Sequence, residues 1–273
     1  PFNVLAISLL SLVAATFAPA VGAQQTPQCS VKPASIPLGQ TVRLHCDVEV
    51  ATAVMVRDPT AKLIVRSVPM FKQADGSWEG LMPVAVEDDP ETNGIIFKAA
   101  DGTAVAGAEV SIRKTIFPTQ NVTLAPQIEA LHTTPEERQT LVTFRDAVSD
   151  VKYWDDPLVA PLPGCVISPF GVKRLHNGKP TGEIHAGIDQ RGATGTPIRA
   201  VAAGVVKIVQ PFNVLGGTVA IDHGQGLETM YLHMSRANGP HLHWVVYVNG
   251  VPQNPLQWVT LKSCAAPKNK SQQ

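Results

Sequence analysis

Five of the chain's eight histidines fall between residues 185 and 243: His185, His223, His233, His241 and His243. Two patterns among them could do chemistry. His185-Ala186-Gly187-Ile188-Asp189 is an HxxxD run, and on a strand its positions i and i+4 would share one face. His241-Leu242-His243, followed by Trp244-Val245-Val246-Tyr247-Val248, reads as a strand with both imidazoles on one side. Imidazole nitrogen and carboxylate oxygen are ordinary zinc ligands, and a catalytic zinc takes three protein ligands and leaves one position for water. His185, Asp189 and one imidazole of the HxH pair would supply two nitrogens and one oxygen. The other imidazole would stand beside the water, whose pKa zinc lowers to about 7. A neutral His within hydrogen-bond reach takes that proton and returns it to a leaving amine. His233, closing Met230-Tyr231-Leu232-His233, could stabilise the oxyanion of a tetrahedral carbonyl. That chemistry is amide hydrolysis.

Each pattern alone has a plainer reading. HxxxD is most often a surface His near an Asp, and HxH an exposed pair on a strand. His233 alone would be a core or edge histidine with a satisfied nitrogen. His223, after Asp222 at a Gly-rich turn, reads as structural, and His176 lies in a loop. His45 and His132 lie outside the cluster and carry no role.

The elements that must position these residues are mostly strands. Thr196 to Val209 and Gly217 to Asp222 are rich in β-branched residues, Gly224-Gln225-Gly226 turns the chain into Leu227 to His233, and Asn249-Gly250 marks a hairpin. Upstream, Gln40 to Cys46 and Ala108 to Arg113 alternate polar and apolar, with Asp75-Gly76 and Asp101-Gly102 as turn signals. Short strands with regular turns predict an Ig-like β-sandwich over 24–118, with no chemistry of its own. Thr134-Pro135-Glu136-Glu137 supplies an N-cap, a proline at the first helical position and a reciprocal Glu. Leu141, Phe144, Ala147 and Val148 then recur at helical spacing, so a helix should run to between Ser149 and Trp154. It belongs to a linker over 119–160, with the Pro-rich run Pro161-Leu162-Pro163-Gly164 marking the boundary. A mainly β catalytic domain follows over 161–260, and 261–273 reads as a disordered tail. The pentapeptide PFNVL occurs at 1–5 and again at 211–215, and one such repeat defines no architecture.

Composition sets the outer limits. At 273 residues the chain holds one or two domains. Its 44% apolar and 16% charged residues exclude a disordered polypeptide. Lys plus Arg and Asp plus Glu are 22 each, so no overall basic field points to nucleic acid. Val4 to Ala23 carries no charge and ends in Val21-Gly22-Ala23, so residues 1–23 read as a signal peptide cleaved after Ala23. An uncleaved membrane anchor is the alternative, which Pro19 and the Ala and Ser content weaken. Pro27 and Gln28 before Cys29 do not make a lipobox. The expectation is an exported protein of the periplasm, the cell wall or the exterior. Four cysteines in such a chain suggest disulfides. Of three possible pairings, Cys29–Cys46 with Cys165–Cys264 keeps each bridge inside one proposed domain.

The full set of motifs resembles the lysostaphin/LytM-type zinc endopeptidases of bacterial cell walls. The matching stretches are Ser168-Pro169-Phe170-Gly171, Asn177-Gly178-Lys179-Pro180, the HxxxD run, Gly195-Thr196-Pro197-Ile198-Arg199-Ala200, Tyr231-Leu232-His233 and Gly239-Pro240-His241-Leu242-His243-Trp244. The resemblance covers about residues 160–260. It implies one zinc ion per chain held by His185, Asp189 and His243, with His241 and His233 as catalytic histidines. It also implies a β-rich groove for extended peptides, with stem or cross-bridge peptides of peptidoglycan as substrate.

Two departures stand out. In the family a substantial strand-and-loop stretch separates the YxH histidine from the HxH pair; here only Met234 to Pro240, seven residues, intervene. Eight residue steps span at most about 29 Å, so both histidines can still face one metal. Gln190 follows Asp189 where an apolar residue is usual, which implies local exposure. The shortened step supports an alternative: a non-catalytic LytM-like protein that binds the wall or activates another murein hydrolase. A third reading, an exported β-protein whose histidines bind surface metal, leaves the ordered motifs unexplained.

Overall fold

A computed structural model describes residues 29–57, 63–234 and 241–264. The expected signal peptide and the end of the tail from 265 lie outside these residues. Among the described residues no helix is long and apolar enough to cross a membrane.

The chain is mainly β. Its first nine strands are β1 (Cys29–Lys32), β2 (Ser35–Pro37), β3 (Thr41–Cys46), β4 (Thr52–Arg57), β5 (Leu63–Pro69), β6 (Phe71–Lys72), β7 (Trp78–Pro83), β8 (Thr92–Lys98) and β9 (Ala104–Arg113). They form two sheets, ordered β1-β3-β7-β6 and β2-β9-β8-β4-β5. Ile36, Val42, Leu44, Met55, Ile95 and Phe97 fill the core between them, as the alternation of inward positions in a sandwich requires. Gly76 and Gly102 take positive φ at the two turns marked by Asp-Gly. Cys29 pairs in register with Cys46 across β1 and β3 and is bonded to it.

The connecting region holds β10 (Thr119–Val122), a short turn of helix α1 (Pro126–Glu129) and α2 (Pro135–Asp146). The capping box at Thr134 and Glu137 is formed. The helix stops at Asp146, short of the Ser149–Trp154 end read from periodicity, because Ala147 is extended and the backbone beyond is used elsewhere: the amides of Gln225 and Tyr153 reach the carbonyls of Ser149 and His223 respectively.

The remaining strands are β11 (Val166–Ser168), β12 (Lys173–His176), β13 (Lys179–Ile184), β14 (Ile188–Arg191), β15 (Val205–Phe212), β16 (Gly216–Gly224), β17 (Leu227–Leu232), β18 (His241–Val248) and β19 (Val251–Gln253). β10, inside the stretch read as linker, pairs parallel with β12 in a three-stranded sheet with β13. The principal sheet runs β11-β14-β18-β17-β16-β15, with β19 on β18. One face buries Ile188, Leu227, Trp244 and Val246 against Trp154, Leu158 and Trp258. The other gathers Met230, Leu232, Val245 and Tyr247 under Phe144 of α2. The strand expected from Thr196 begins only at Val205. Upstream of it the Arg199 amide bonds to the Pro161 carbonyl and the Val201 amide to the Tyr231 hydroxyl, so neither is free for a ladder. Residues 261–264, read as the start of a disordered tail, are tied down: the amides of Val166 and Cys264 bond to the carbonyls of Lys262 and Val166 respectively, and Cys264 is bonded to Cys165.

Candidate metal centre

β14 and β18 lie side by side with Asp189 opposite His243. Such cross-strand pairs bring Cβ atoms to about 5 Å. On the far side of β18, Leu232 of β17 is the partner of His243, so His233 emerges one residue past the strand end. There it takes φ of 63°, and its amide bonds to the Leu215 carbonyl at 2.9 Å. A non-glycine residue in this left-handed region is held by its surroundings.

HxxxD is not one strand. His185 follows β13 and Asp189 lies in β14, so residues 185–187 link strands of two sheets. The turn is pinned by the His185 amide to the Val172 carbonyl, 2.8 Å, and the Gly171 amide to the His185 carbonyl, 2.9 Å. Gly187 makes it possible. A Cβ there would stand 2.2 Å from the Trp244 carbonyl oxygen and 2.9 Å from His243 Nε2.

These constraints gather one donor atom each from His185, Asp189 and His243 within 4.8 Å of one another. His185 Nε2 is 3.1 Å from Asp189 Oδ1, and the rings of His185 and His243 are 4.6 Å apart. The His185 tautomer is set from behind: Nδ1 donates to the Pro169 carbonyl at 2.8 Å. With Nδ1 so committed, Nε2 faces a carboxylate oxygen, and the two atoms need either a proton or a shared metal cation between them. His243 Nε2 is buried with no hydrogen-bond partner, and a native structure rarely leaves such an atom unsatisfied. Two imidazole nitrogens and a carboxylate are donors suited to zinc and its neighbours. The residues therefore fit a divalent metal.

The electrostatics agree. Burial would raise the Asp189 carboxyl, but the hydrogen bond with His185 and the surrounding imidazoles hold it well below the usual range. Burial, followed by the charge on His185, pushes His243 well below an ordinary imidazole, and burial followed by His241 lowers His233. Both therefore stand neutral at pH 7, with lone pairs available. The His233 ring lies 5.6 Å from those of His241 and His243. His241 Nε2 is 4.0 Å from Asp189 Oδ1. All five residues singled out in the sequence thus meet at one place.

Two contributors went unnamed in the sequence. Arg174 on β12 donates to Asp189 Oδ2 at 3.3 Å, and only the neighbouring Phe170-Gly171 motif hinted at it. Gly187 lay within a quoted motif, without the contact that explains it. Gln190 is not exposed: it is fully buried, and its amide donates to the carbonyls of Leu162 and Gly164, tying β14 to the Pro-rich run. His223 is a core residue whose ring nitrogens contact the Ala203 carbonyl at 2.7 Å and Thr229 Oγ1 at 2.8 Å.

Residues 183–238 match the family described as Peptidase family M23. The matched stretch holds the HxxxD run and the Tyr231-Leu232-His233 motif, and over this region the chain is similar to proteins named as DD-endopeptidases. One relative is the DD-carboxypeptidase/endopeptidase Mpg of Neisseria meningitidis, 35% identical over 113 residues, covering 33% of this chain and 26% of Mpg. Another is the peptidoglycan DD-endopeptidase ShyA of Vibrio cholerae, 28% identical over 131 residues, covering 40% of this chain and 30% of ShyA. The chain thus spans about a quarter to a third of these relatives. A Pseudomonas aeruginosa structure assigned to peptidase M23 shares the fold, with a TM-score of 0.59 at 21% identity, over 81% of this chain and 93% of that one. The Mpg match runs over 113 positions yet takes up only 33% of 273 residues, about 90, so roughly 23 positions have no counterpart here. The family match also stops at 238, ahead of His241. Both agree with the short step from His233 to His241.

Proposed function

We propose that the chain is a zinc-dependent endopeptidase that hydrolyses peptide bonds in bacterial peptidoglycan, acting after export to the periplasm or cell exterior. His185, Asp189 and His243 hold one zinc ion. The observation that carries this reading is the convergence of their donor atoms within 4.8 Å around an otherwise unpartnered His243 Nε2. The kinship with peptidoglycan DD-endopeptidases supports the substrate class. Bound zinc supplies Lewis acidity, which polarises a scissile carbonyl and acidifies the attacking water. The protein's own groups do the rest. His241 accepts the water proton and delivers it to the leaving amine. His233, held by the Leu215 carbonyl, donates to the carbonyl oxygen as negative charge develops there. Arg174 and the Pro169 carbonyl fix Asp189 and His185 in orientation. The test is release of peptides from isolated murein by zinc-loaded protein. His241→Ala should abolish release while zinc stays bound, and His243→Ala should lose both. A folded, zinc-loaded protein inert on murein of every cross-link type would sink the reading.

The shortened step between His233 and His241 favours one other reading, a non-catalytic wall-binding protein or an activator of another murein hydrolase. Full function of a His185→Ala variant, with murein pull-down intact, would select it.

A further inference from the structure

A groove of about 300 Å³ leads away from the metal centre between α2 and the principal sheet. His243, Val245 and Tyr247, alternate residues of β18, lie along its floor. Its opposite wall is the edge of α2 that carries Arg138, Leu141 and Arg145, three residues at i, i+3 and i+7 and hence on one helix face. The helix is fixed end to end along the groove. At its start, Glu137 Oε1 accepts from the Asn213 amide at 2.6 Å, and the same turn supplies Leu215, which holds His233. At its end, the Arg145 guanidinium lies 5.8 Å over the Tyr247 ring. Arg138 is therefore toward the metal end and Arg145 toward the far end. Seven helical residues separate them by about 10.5 Å along the axis, close to three residues of an extended peptide.

The charged side chains that line this groove, apart from the His243 imidazole, are the two arginines. No carboxylate is among the residues that line it, and Arg138 is exposed. Val245, Leu141, Met230 and Leu232 give the groove apolar surface beside the His243 imidazole and the Tyr247 ring, and small-molecule and peptide sites usually combine apolar surface with a few polar groups that fix orientation. Guanidinium recognises carboxylate through paired, charge-assisted hydrogen bonds. We infer that the α2 edge is the wall of a substrate subsite that takes an extended peptide bearing a free carboxylate, read by Arg138 near the scissile bond and by Arg145 about three residues away. This deepens the peptidase reading and rests on it for the direction of the chain.

The test is binding, measured on the zinc-free full chain, of a synthetic stem tetrapeptide with free carboxylates and of the same peptide with every carboxylate converted to carboxamide. The expected result is at least about a tenfold preference for the acid. Arg138→Gln should erase most of it, and Arg138→Lys should keep part. Equal binding of acid and amide, no binding of either, or a preference that survives both Arg138→Gln and Arg145→Gln would overturn the subsite. Murein cleavage by the zinc-loaded protein is assayed apart. An acid preference without cleavage removes the peptidase reading and leaves the groove's selectivity standing; cleavage without the preference does the reverse.

Discussion

Gly187 and His243 are packed so closely that one added methyl group at Gly187 would lie 2.9 Å from the His243 Nε2 and 2.2 Å from the Trp244 carbonyl. The glycine lets the HxxxD turn close over the HxH strand. Gly187→Ala should push β14 and β18 apart, and overpacking of this kind typically costs about 1–3 kcal/mol. Zinc affinity should fall by at least about tenfold, measured by competition with a chromophoric chelator. Unchanged affinity would mean the turn relaxes without moving His243.

Arg174 pairs with Asp189 Oδ2 at 3.3 Å. Groups that orient a metal ligand typically matter by about 10–100-fold in metal affinity. Arg174→Gln should weaken zinc binding within that range while the thermal melt of the zinc-free protein moves little. Arg174→Lys should recover part of the loss, since a point charge replaces the fork without its directionality.

Chelation should destabilise the protein. A ligand present at a hundred times its dissociation constant stabilises the state that binds it by about 2.7 kcal/mol. Removing zinc should therefore lower the melting temperature by several degrees, and adding it back should restore the loss. His243→Ala, which lacks a donor of the cluster, should show no such shift in either direction.

Much of the site was legible because its residues sit in short motifs whose types are chemical. Donor atoms of His185, Asp189 and His243 converge, with His233 and His241 beside them, and period-2 alternation is enough to place the HxH pair on one side of β18. What the sequence hid is contact at a distance. Gln190 looked exposed by type, but two carbonyls 28 and 26 residues away satisfy its amide. Arg174 reaches Asp189 from a different sheet. Thr196 to Gly204 belongs to the stretch read as strand from the β-branched residues of Thr196 to Val209, yet tertiary partners take up its backbone. Propensity and pattern report neighbours in sequence, and these three cases turn on neighbours in space.

The Cys165–Cys264 bond spans 99 residues and closes the strands of the principal sheet into one loop. In the chain-entropy description a loop of about 100 residues gains roughly 4.7 kcal/mol from its cross-link. Cys264→Ser should therefore cost about 2–5 kcal/mol, read as a lower urea midpoint. Cys29→Ser, opening a separation of 17 residues, should cost less. The reverse order would show that native-state strain or residual structure outweighs loop length.

Glu228 is 1% exposed, and neither carboxyl oxygen has a hydrogen-bond partner. Burial, with Asp222 next, raises its pKa to about 9, against the opposing pull of Arg145. In the unfolded chain a glutamate releases its proton near 4.3. Between these values the native state binds the extra proton, so stability falls as pH rises, by up to about 1.4 kcal/mol per pH unit. Below the unfolded value the residue costs nothing through ionisation; above about 9 both states are charged and its contribution levels off. Glu228→Gln keeps the shape and removes the proton. It should flatten this part of the profile and stabilise the protein at pH 8 by a few kcal/mol, while leaving stability near pH 4 almost unchanged. Urea midpoints at pH 4.5, 6.5 and 8.5 measure the difference, and a variant that keeps the wild-type slope would show that Glu228 ionises normally in the fold.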